Sequence, residues 1–379
     1  MKEIIGTSNR ILEVDLTRNQ VDVYEVKPRE RRLYLGGKGL GLKLLHDRLQ
    51  AGADPMGEEN IIAFMPGVLM GTGAPCSGRF AAVTKSPLTG IMTASSCGGP
   101  FGMNLKTAGW DGLLIRGKAA KPTYLLITSE GVEFSDAGEL WGLDIPSTQS
   151  KLDEKRAGML VIGPAGENLV RFANIATGDR FLGRGGMGAV LGSKNLKAIV
   201  ALGGTYKINP ADNIAFEKLK KKATAYINRN RVTGNLYRNY GTPANVALSL
   251  KGNILPVNNF SDGTHAQALQ ISGEETKKSK DTSHHTCKPC TILCGKKGKF
   301  GGQELPAPEY ETVALMGSNL GVFDIEKIAE WNRICGTMGM DTISAGGTLA
   351  WVMEAAQRGL VQSDLKFGSP DGISQALLD

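Results

Sequence analysis

HHTCKPCTILC, residues His284 to Cys294, is the stretch around which this chain of 379 residues is organised. It gathers three of the six cysteines and two of the four histidines, with the spacing C-x2-C-x3-C at Cys287, Cys290 and Cys294. Pro289 stiffens the loop and prevents it from continuing as a helix. Thiolates this close together in sequence are typical of a metal site.

Spacing alone leaves three interpretations of this cysteine loop open. Cysteines at short spacing hold an iron-sulfur cluster, which usually needs a fourth and more distant cysteine. They also hold tetrahedral zinc, for which His284 or His285 would supply the fourth ligand. Three free thiols in a reducing compartment are the remaining interpretation.

The composition is that of a globular protein with an unusual amount of glycine. Apolar residues make up 41% of the chain and charged residues 21%, so it buries a substantial core in two or more domains. Glycine supplies 50 of the 379 residues and clusters in GGKGLG, GVLMGTG, SSCGGPFG and GRGGMG. The backbone therefore turns tightly, or approaches something closely, at several places.

The formal net charge of +7 is compatible with an anionic partner or ligand. Nucleic acid, a phosphate-bearing cofactor and an acidic electron carrier all qualify, as does an ordinary solvated surface. The basic run KLKKK, Lys218 to Lys222, falls in a helix-like segment and is interpreted as a solvated face. Aromatic residues make up 6% of the chain and do not alternate with basic ones, so nucleic acid is disfavoured as a partner.

The sequence predicts a cytoplasmic protein without a membrane span. Its first fifteen residues lack the apolar core of a secretory signal. The longest apolar stretch, Ile61 to Met70, is too short to cross a bilayer and contains Pro66 and Gly67. Six unevenly spaced cysteines in a chain of this length do not form a disulfide scaffold, which agrees with a reducing compartment.

Hydrophobic periodicity predicts an α+β chain with two domains. Residues 1–207 contain many short strand patterns, of which Arg10 to Leu16 and Val21 to Val26 alternate around TRNQ as a hairpin does. Residues 208–379 contain long helical patterns instead, such as Ala211 to Arg229 and Thr342 to Gly359. We predict a β-rich domain over 1–207 and a mainly helical domain, which carries the cysteine loop, over 208–379.

The segment GRGGMG, Gly183 to Gly188, matches the dinucleotide pattern G-x-G-x-x-G. That pattern requires a strand before the glycines, a helix after them and an acidic residue about 20 positions later. Here the predicted strand, KAIVALGG, comes afterwards, and the later positions are Gly203 to Thr205. We therefore reject a nicotinamide site and retain only the expectation of a close backbone approach to a ligand.

Several long blocks of sequence carry a resemblance to a known family. They are Ala74 to Gly90, Ser95 to Ala119, Ile162 to Ile175, Gly183 to Ile199, the cysteine loop, and Pro308 to Gly321. In these blocks, and in their order, the chain resembles the tungsten-pterin aldehyde ferredoxin oxidoreductase family. The resemblance covers almost the whole chain.

This resemblance implies a fold and a chemistry. A two-sheet N-terminal domain would carry one face of a tungsten bis-pterin, or its molybdenum equivalent, with a [4Fe-4S] cluster beside it and helical domains over the other face. Small aldehydes would be oxidised to carboxylic acids. Electrons would leave through the cluster to ferredoxin or another low-potential carrier. The cofactor supplies the redox chemistry, and the protein positions and tunes it.

The resemblance also assigns roles to individual residues. Cys287, Cys290 and Cys294 would bind the cluster. Arg79 would lie between cluster and pterin, since its planar donors suit a phosphate, a pterin edge or a cluster sulfur. The remaining implied cofactor contacts are Ser96, Cys97, Gly98, Arg180 and Phe181.

Two carboxylates complete the implied site. Glu311 would lie near the metal and act as a general base if burial raises its pKa. Asp341 falls on the family's pterin-binding motif D-x-x-G-L-[C/D]. The match is imperfect, because Gly336 stands where the first aspartate belongs and Met340 replaces leucine.

Length is the largest departure from the family. Its members have a further helical domain with the fourth cluster cysteine, a second pterin motif and a histidine near the metal, whereas this chain ends in GSPDGISQALLD. We therefore expect this stretch alone to be inactive and to need that part, in cis or as a separate chain.

Two other functions remain open on the sequence. The first is the tungsten subunit of an aryl-CoA reductase-like complex, because the same fold also resembles that subunit. The second is a non-enzymatic zinc protein with Cys287, Cys290, Cys294 and His285 as ligands, and a basic surface that binds nucleic acid.

Overall fold

The computed structural model describes residues 1–152 and 157–379. These residues form two compact units. The N-terminal unit comprises Met1–Lys222 with Thr337–Met340, and the second unit comprises Ala223–Gly336 with Asp341–Asp379. The predicted domain limits, 1–207 and 208–379, remain a prediction.

The N-terminal unit contains most of the strands. Its strands are β1 (Lys2–Ile5), β2 (Arg10–Asp15), β3 (Gln20–Glu25), β4 (Ile62–Pro66), β5 (Phe80–Lys85), β6 (Met92–Cys97), β7 (Gly112–Arg116), β8 (Thr123–Ile127), β9 (Val132–Asp136), β10 (Gly158–Val161), β11 (Ile175–Thr177), β12 (Arg180–Leu182), β13 (Leu196–Ala201) and β14 (Tyr206–Asn209). Its helices are α1 (Pro28–Tyr34), α2 (Gly37–Arg48), α3 (Pro100–Thr107), α4 (Ile145–Lys151), α5 (Pro164–Glu167) and α6 (Met187–Ser193), and α7 (Asn213–Arg229) follows them.

Two six-stranded mixed sheets form the base of the N-terminal unit. Their strand orders are β3-β2-β7-β4-β5-β6 and β12-β11-β10-β13-β8-β9. In each sheet one pair of neighbours is parallel, β2 with β7 and β8 with β13. The predicted hairpin is present as β2 and β3, with Val14 opposite Val21. The predicted two-sheet architecture is confirmed.

Alternation along the strands explains how one sheet buries both of its faces. On β4, Ile62 and Phe64 belong to a core that both sheets share. Ala63 and Met65, between and after them, pack on the opposite face with apolar residues of α2 such as Leu44. Because both faces are covered, such strands appear in the sequence as continuous apolar runs.

The sequence context predicted for GRGGMG was wrong in one respect, because no strand was expected before the glycines. A strand, β12, does precede these glycines, and a helix, α6, follows them. However, β12 pairs antiparallel with β11, so the parallel crossover unit of a dinucleotide fold is not formed here.

The glycines of this segment allow backbones to approach closely. A Cβ atom at Gly188 would lie 2.3 Å from the carbonyl oxygen of Asn174. One at Gly192, in the same helix α6, would lie 1.9 Å from the carbonyl oxygen of Gly166 in α5. Helix α6 is therefore seated at a distance that only glycine permits, which accounts for these glycines without a ligand.

A buried ion-pair network centred on Asp111, just before β7, joins the first sheet to helices α1 and α3. Asp111 accepts hydrogen bonds from Arg31 Nη2 at 2.6 Å and from the backbone amide of Asn9 at 2.9 Å. Lys106 also donates to this carboxylate, and both side chains are 2% exposed. Burial lowers the pKa of Lys106, and the Asp111 carboxylate opposes that change. Asp111 therefore compensates a lysine that has lost its water.

The second unit is mainly helical, as predicted. Its α-helices are α8 (Tyr237–Tyr240), α9 (Asn245–Lys251), α10 (Gly273–Lys280), α11 (Tyr310–Thr312), α12 (Ile325–Met338), α13 (Thr342–Gln357) and α14 (Ile373–Ala376). Short π-helical and 3-10 turns lie at 231–236, 242–244, 268–271, 313–317 and 318–320. Its strands are β15 (Ser283–His284), β16 (Lys296–Phe300) and β17 (Gln303–Pro306), which form an antiparallel sheet in that order.

Membrane-spanning helices were sought along residues 1–152 and 157–379. None of the helices there combines the length and the apolar character needed to cross a bilayer.

Candidate functional site

In the N-terminal unit, Arg79 reaches across to strand β6. Strands β5 and β6 pair with Phe80 opposite Cys97 and Ala81 opposite Ser96, and β6 is an edge strand of its sheet. The Arg79 guanidinium donates from Nη2 to the carbonyl oxygen of Ser96. Arg79 and Ser96 are exposed, whereas Cys97 is buried behind them. A cationic group therefore lies at the β6 edge of this sheet.

The hairpin of β11 and β12 lies against the same edge. It pairs Ala176 with Phe181 and Thr177 with Arg180, and β12 contacts β6. Gly99, which follows Gly98 in the turn after β6, passes so close that a Cβ atom there would lie 2.6 Å from Thr177 Cγ2. The fold therefore brings five of the six predicted residues of the N-terminal unit onto one edge: Arg79, Ser96, Cys97, Gly98 and Arg180. The side chain of the sixth, Phe181, instead packs against the buried residues Val161, Ala176 and Ala198.

In the second unit, the cysteine loop is closed at its base by β15 and β16. His284 is opposite Lys296, and the next amide, that of His285, donates to the carbonyl oxygen of Gly295 at 2.9 Å. Cys287, Cys290 and Cys294 are half-buried and form no disulfide. The loop thus presents three thiols from a hairpin whose two ends are held together.

Two cations anchor this loop from the interior of the second unit. Lys296 is 8% exposed, and its ammonium donates to the carbonyl oxygens of Leu293 at 2.5 Å and Arg238 at 2.9 Å. The guanidinium of Arg238 in turn donates from Nη2 to the carbonyl oxygen of Thr291. Burial lowers the pKa of Lys296 to about 8, against the opposing influence of Cys294.

Two polar atoms beside the thiols have no partner within residues 1–152 and 157–379. They are Nε of Arg238 and Oγ1 of Thr291, both buried. A buried donor left without an acceptor costs about 1–3 kcal/mol. Both atoms can donate, so an acceptor that lies against the loop would relieve this cost.

Glu311 and Cys335 have contrasting environments in the second unit. Glu311 lies in α11 and is exposed. The start of α11 is held by Tyr310, whose amide donates to Thr242 Oγ1 at 3.0 Å. Cys335 in α12 is fully buried, and burial raises the pKa of its thiol to about 12. Cys335 is therefore an inert core thiol, and the catalytic role of Glu311 remains a prediction.

Asp341 caps helix α13. Its carboxylate accepts hydrogen bonds from the amides of Ile343 at 3.1 Å and Ser344 at 3.2 Å, and from Ser344 Oγ at 2.7 Å. The side chain is buried. This cap explains the residue type structurally, and the predicted contact with a pterin remains a prediction.

Two family models match the chain in succession. The description "Aldehyde ferredoxin oxidoreductase, N-terminal domain" matches residues 11–203, and "Aldehyde ferredoxin oxidoreductase, domains 2 & 3" matches residues 218–379. The chain belongs to the aldehyde ferredoxin oxidoreductase family. The resemblance inferred from the sequence blocks is thereby confirmed, and the family is one of oxidoreductases.

Curated members of the aldehyde ferredoxin oxidoreductase family include close relatives. The tungsten-containing aldehyde ferredoxin oxidoreductases of Pyrococcus furiosus and Thermococcus kodakarensis are each 38% identical to this chain, over 365 and 367 residues. Each alignment covers 95% of this chain and 60% of the relative. The aliphatic sulfonate oxidoreductase WOR-like subunit of Pyrococcus furiosus is 32% identical over 388 residues. The chain therefore spans about 60% of the length of the curated relatives that it matches.

A solved structure shares the fold. The active site complex BamBC of benzoyl coenzyme A reductase, in complex with 1,5-dienoyl-CoA, superposes with a TM-score of 0.83 at 28% sequence identity. The match covers 99% of this chain and 59% of that chain.

The second unit's loop fits the iron-sulfur cluster that the aldehyde ferredoxin oxidoreductase family implies. Three thiols supply ligands, and the orphaned donors of Arg238 and Thr291 suit the anionic sulfurs of a cluster.

The edge formed by β6 and β12 fits a phosphate-bearing planar group. Two guanidinium groups, those of Arg79 and Arg180, belong to this edge together with the backbone turn at Ser96 to Gly98. Guanidinium donors match phosphate and pterin edges in geometry and charge. The donor chemistry is therefore that expected of this family.

Sequence reasoning missed Arg238 and Lys296. Lys296 follows Cys294 by two positions, so its proximity to the thiols was available as a signal. Arg238 lies far from the loop in sequence, and no local pattern connects it with Thr291. Only the folded chain shows that Arg238 supports the loop.

Proposed function

We propose that this chain is part of a tungsten-pterin oxidoreductase that oxidises aldehydes to carboxylic acids. The observation that carries the proposal is its 38% identity, over 95% of its length, to tungsten-containing aldehyde ferredoxin oxidoreductases. The oxidation of one aldehyde with one water yields a carboxylic acid, two protons and two electrons. When bound, the tungsten-pterin group supplies the two-electron redox chemistry.

The N-terminal unit holds and orients the pterin in this proposal. Arg79 binds a phosphate or the pterin edge with the guanidinium donors not used by Ser96. The turn Ser96 to Gly98 approaches the same group with its backbone, and Arg180 and Phe181 contact it from β12. Molybdenum in place of tungsten would leave these protein contacts unchanged.

The cysteine loop carries the electron exit in this proposal. Cys287, Cys290 and Cys294 bind a [4Fe-4S] cluster, and Arg238 and Thr291 donate to its sulfurs. Two electrons leave one at a time, so each aldehyde oxidised reduces two molecules of a one-electron carrier such as ferredoxin.

The two carboxylates have positioning and proton-transfer roles. Glu311 accepts a proton during aldehyde oxidation, which requires its carboxylate to be enclosed next to the bound substrate. Asp341 is held in place as the N-cap of α13, and its carboxylate accepts further hydrogen bonds from pterin N–H groups.

A second candidate is the tungsten subunit of an aryl-CoA reductase-like complex. The TM-score of 0.83 with the benzoyl coenzyme A reductase complex favours it. The two candidates share the cluster and pterin sites and differ in substrate. An aldehyde would donate electrons to the metal centres, whereas an aromatic acyl-CoA thioester would withdraw them.

Metal analysis tests the proposal, with this chain produced anaerobically together with the further helical domain that it is expected to need, in cis or as a separate chain. The chain is expressed with tungstate, molybdate, iron and zinc supplied together, and its metals are measured per polypeptide. We expect tungsten or molybdenum together with about four iron atoms. Substitution of Cys287, Cys290 or Cys294 by serine removes the iron, while the control Cys335→Ala retains it, because Cys335 is an inert core thiol.

The opposite result is equally clear. One zinc per chain without iron, or an iron content that is unchanged in the Cys290→Ser variant, would contradict the proposal. Electron paramagnetic resonance separates the two substrates. A small aldehyde is expected to generate the signal of the reduced cluster. An aromatic acyl-CoA thioester is expected to remove that signal from a chemically reduced sample.

A further inference from the structure

Lys296 is a buried cation that is held by uncharged acceptors. The side chain is 8% exposed, and its ammonium donates to the carbonyl oxygens of Leu293 at 2.5 Å, Arg238 at 2.9 Å and Tyr237 at 3.3 Å. Nδ1 of His284 lies 3.3 Å from the same nitrogen. Among the residues that the structure describes, no carboxylate forms an ion pair with Lys296. The chain therefore does not neutralise this buried charge by itself.

The other charges around Lys296 add to this imbalance. Arg238 and Lys277 are cations that oppose the charge of the Lys296 ammonium, whereas the thiolate of Cys294 favours it. Arg238 in turn donates to an uncharged acceptor, the carbonyl oxygen of Thr291. Like charges repel each other strongly where water is scarce. An anionic group bound at the thiols would offset this repulsion.

The Lys296 ammonium has a fixed position beside the thiols. Lys296 begins strand β16 two residues after Cys294, and both residues line one narrow cleft. Gly241 packs on both of them, because a Cβ atom there would lie 2.9 Å from the carbonyl oxygen of Cys294 and 3.3 Å from Cγ of Lys296. The cleft has a volume of about 10 Å³, which admits at most one water molecule. A charge inside it is therefore only weakly screened.

A structural role accounts for only part of this arrangement. The carbonyl oxygens of Tyr237 and Arg238 belong to the last turn of α8, where a cation is favourable. An uncharged donor such as glutamine would also satisfy carbonyl oxygens. A buried ammonium is more costly than such a donor, because burial opposes its charge. The charge of Lys296 therefore has a role beyond its hydrogen bonds.

We propose that the charge of Lys296 raises the reduction potential of the iron-sulfur cluster held by the cysteine loop. This inference rests on the cluster of the proposed function. Reduction transfers one electron from the oxidised substrate to the cluster, with no bond formed or broken at the cluster and no proton moved there. The cluster thereby gains one negative charge, so a buried cation beside it stabilises the reduced form more than the oxidised form. Net charge and hydrogen bonds to the sulfurs are among the factors that set the potential of such clusters.

Substitutions at Lys296 separate its charge from its hydrogen bonds. Lys296→Met removes both, Lys296→Gln removes the charge but keeps an N–H donor, and Lys296→Arg keeps the charge. The matched control is Lys297→Met, which makes the same change in net charge one residue along β16. Lys297 pairs instead with Glu304 at 2.7 Å, and strand alternation directs it to the other face of the sheet.

The potential is measured by anaerobic titration with dithionite and redox mediators, without aldehyde. The signal of the reduced cluster in electron paramagnetic resonance is the readout, and the chain is produced together with the further helical domain that it is expected to need. We expect Lys296→Met and Lys296→Gln each to shift the one-electron equilibrium about tenfold towards the oxidised cluster, which lowers the potential by about 59 mV. Lys296→Arg and Lys297→Met are expected to stay within about twofold of wild type, because the first keeps the buried charge and the second removes an exposed one.

Two results would overturn the role of Lys296. They are an iron-containing Lys296→Gln variant with the potential of wild type, and an equal shift in Lys297→Met. Iron per chain and the melting temperature identify the variants that hold the cluster, and where Lys296→Met loses iron, Lys296→Gln decides the question. A shifted potential in a protein whose wild type does not oxidise aldehydes contradicts the proposed function alone. Iron with an unshifted potential contradicts this inference alone, and a wild type without iron contradicts both.

Discussion

Arg238 donates from its guanidinium to the carbonyl oxygen of Thr291, and so ties the interior of the second unit to the centre of the cysteine loop. The same pair leaves Nε of Arg238 and Oγ1 of Thr291 buried without acceptors among the described residues. A group that accepts from both would complete the arrangement. The pair therefore joins the support of the loop to the proposed cluster.

The substitution Arg238→Ala is expected to weaken iron retention by about tenfold, because partners that orient metal ligands typically contribute that much to affinity. Arg238→Lys keeps the charge but lacks the planar fork, so an intermediate loss is expected. Iron per chain after dialysis against a chelator is the measurement. The exposed Arg229→Ala is the control. Full iron retention and an unchanged spectrum in Arg238→Ala would rule out this role.

Lys194 makes stability depend on pH above neutrality. Its buried ammonium donates to the carbonyl oxygens of Gly117 at 3.0 Å and Glu58 at 3.3 Å, and burial lowers its pKa to about 8 from an ordinary value of 10.5. Between these two values the unfolded chain holds more protons than the folded chain. The free energy of unfolding attributable to Lys194 therefore rises with pH, by about 1.4 kcal/mol per unit.

Chemical unfolding of wild type and Lys194→Met at pH 7 and pH 9.5 checks this effect. The advantage of wild type over the variant is expected to grow by about 2 kcal/mol between the two values. The neighbouring Lys118→Met, whose side chain is exposed, is expected to follow wild type at both pH values. A constant difference between wild type and Lys194→Met would show that Lys194 does not carry this proton linkage.

Asp111 compensates the buried Lys106, so Asp111→Asn should destabilise the N-terminal unit. Loss of one member of a buried pair leaves an uncompensated charge, and we expect a cost of about 3–5 kcal/mol. Asp136→Asn is the control, because Asp136 also pairs with a lysine, Lys121, but is 55% exposed. Thermal melting compares the two variants. A melting temperature of Asp111→Asn that equals that of Asp136→Asn would refute this account.

Adjacent glycines in α13 predict opposite responses to alanine. A Cβ atom at Gly346 would lie 2.4 Å from the carbonyl oxygen of Leu315, whereas one at Gly347 would meet nothing within 4 Å. Gly346→Ala is therefore expected to destabilise the chain by about 1–3 kcal/mol. Gly347→Ala is expected to stabilise it by about 0.5–1 kcal/mol, because alanine is the better helix former. Urea midpoints of the two variants measure the difference, and a shared sign would disprove the packing explanation.

Local patterns in the sequence were sufficient for several elements of this fold. Alternation around TRNQ predicted the β2–β3 hairpin, and the long helical patterns predicted α7 and α13. These signals work because strand and helix periods depend on neighbouring residues alone. The pattern G-x-G-x-x-G does not indicate a dinucleotide site by itself, because that inference depends on how the preceding strand, here β12, pairs within its sheet.

The sequence by itself determined the family, the α+β class and the thiols of the cysteine loop, because blocks of residues and their spacing are properties of the chain. Tertiary structure decided that Arg79 meets β6 and that Arg238 meets the loop at Thr291 and Lys296. Both relationships join residues distant in sequence through strand register and packing. Those depend on the free energy of the whole fold, and no local pattern encodes them.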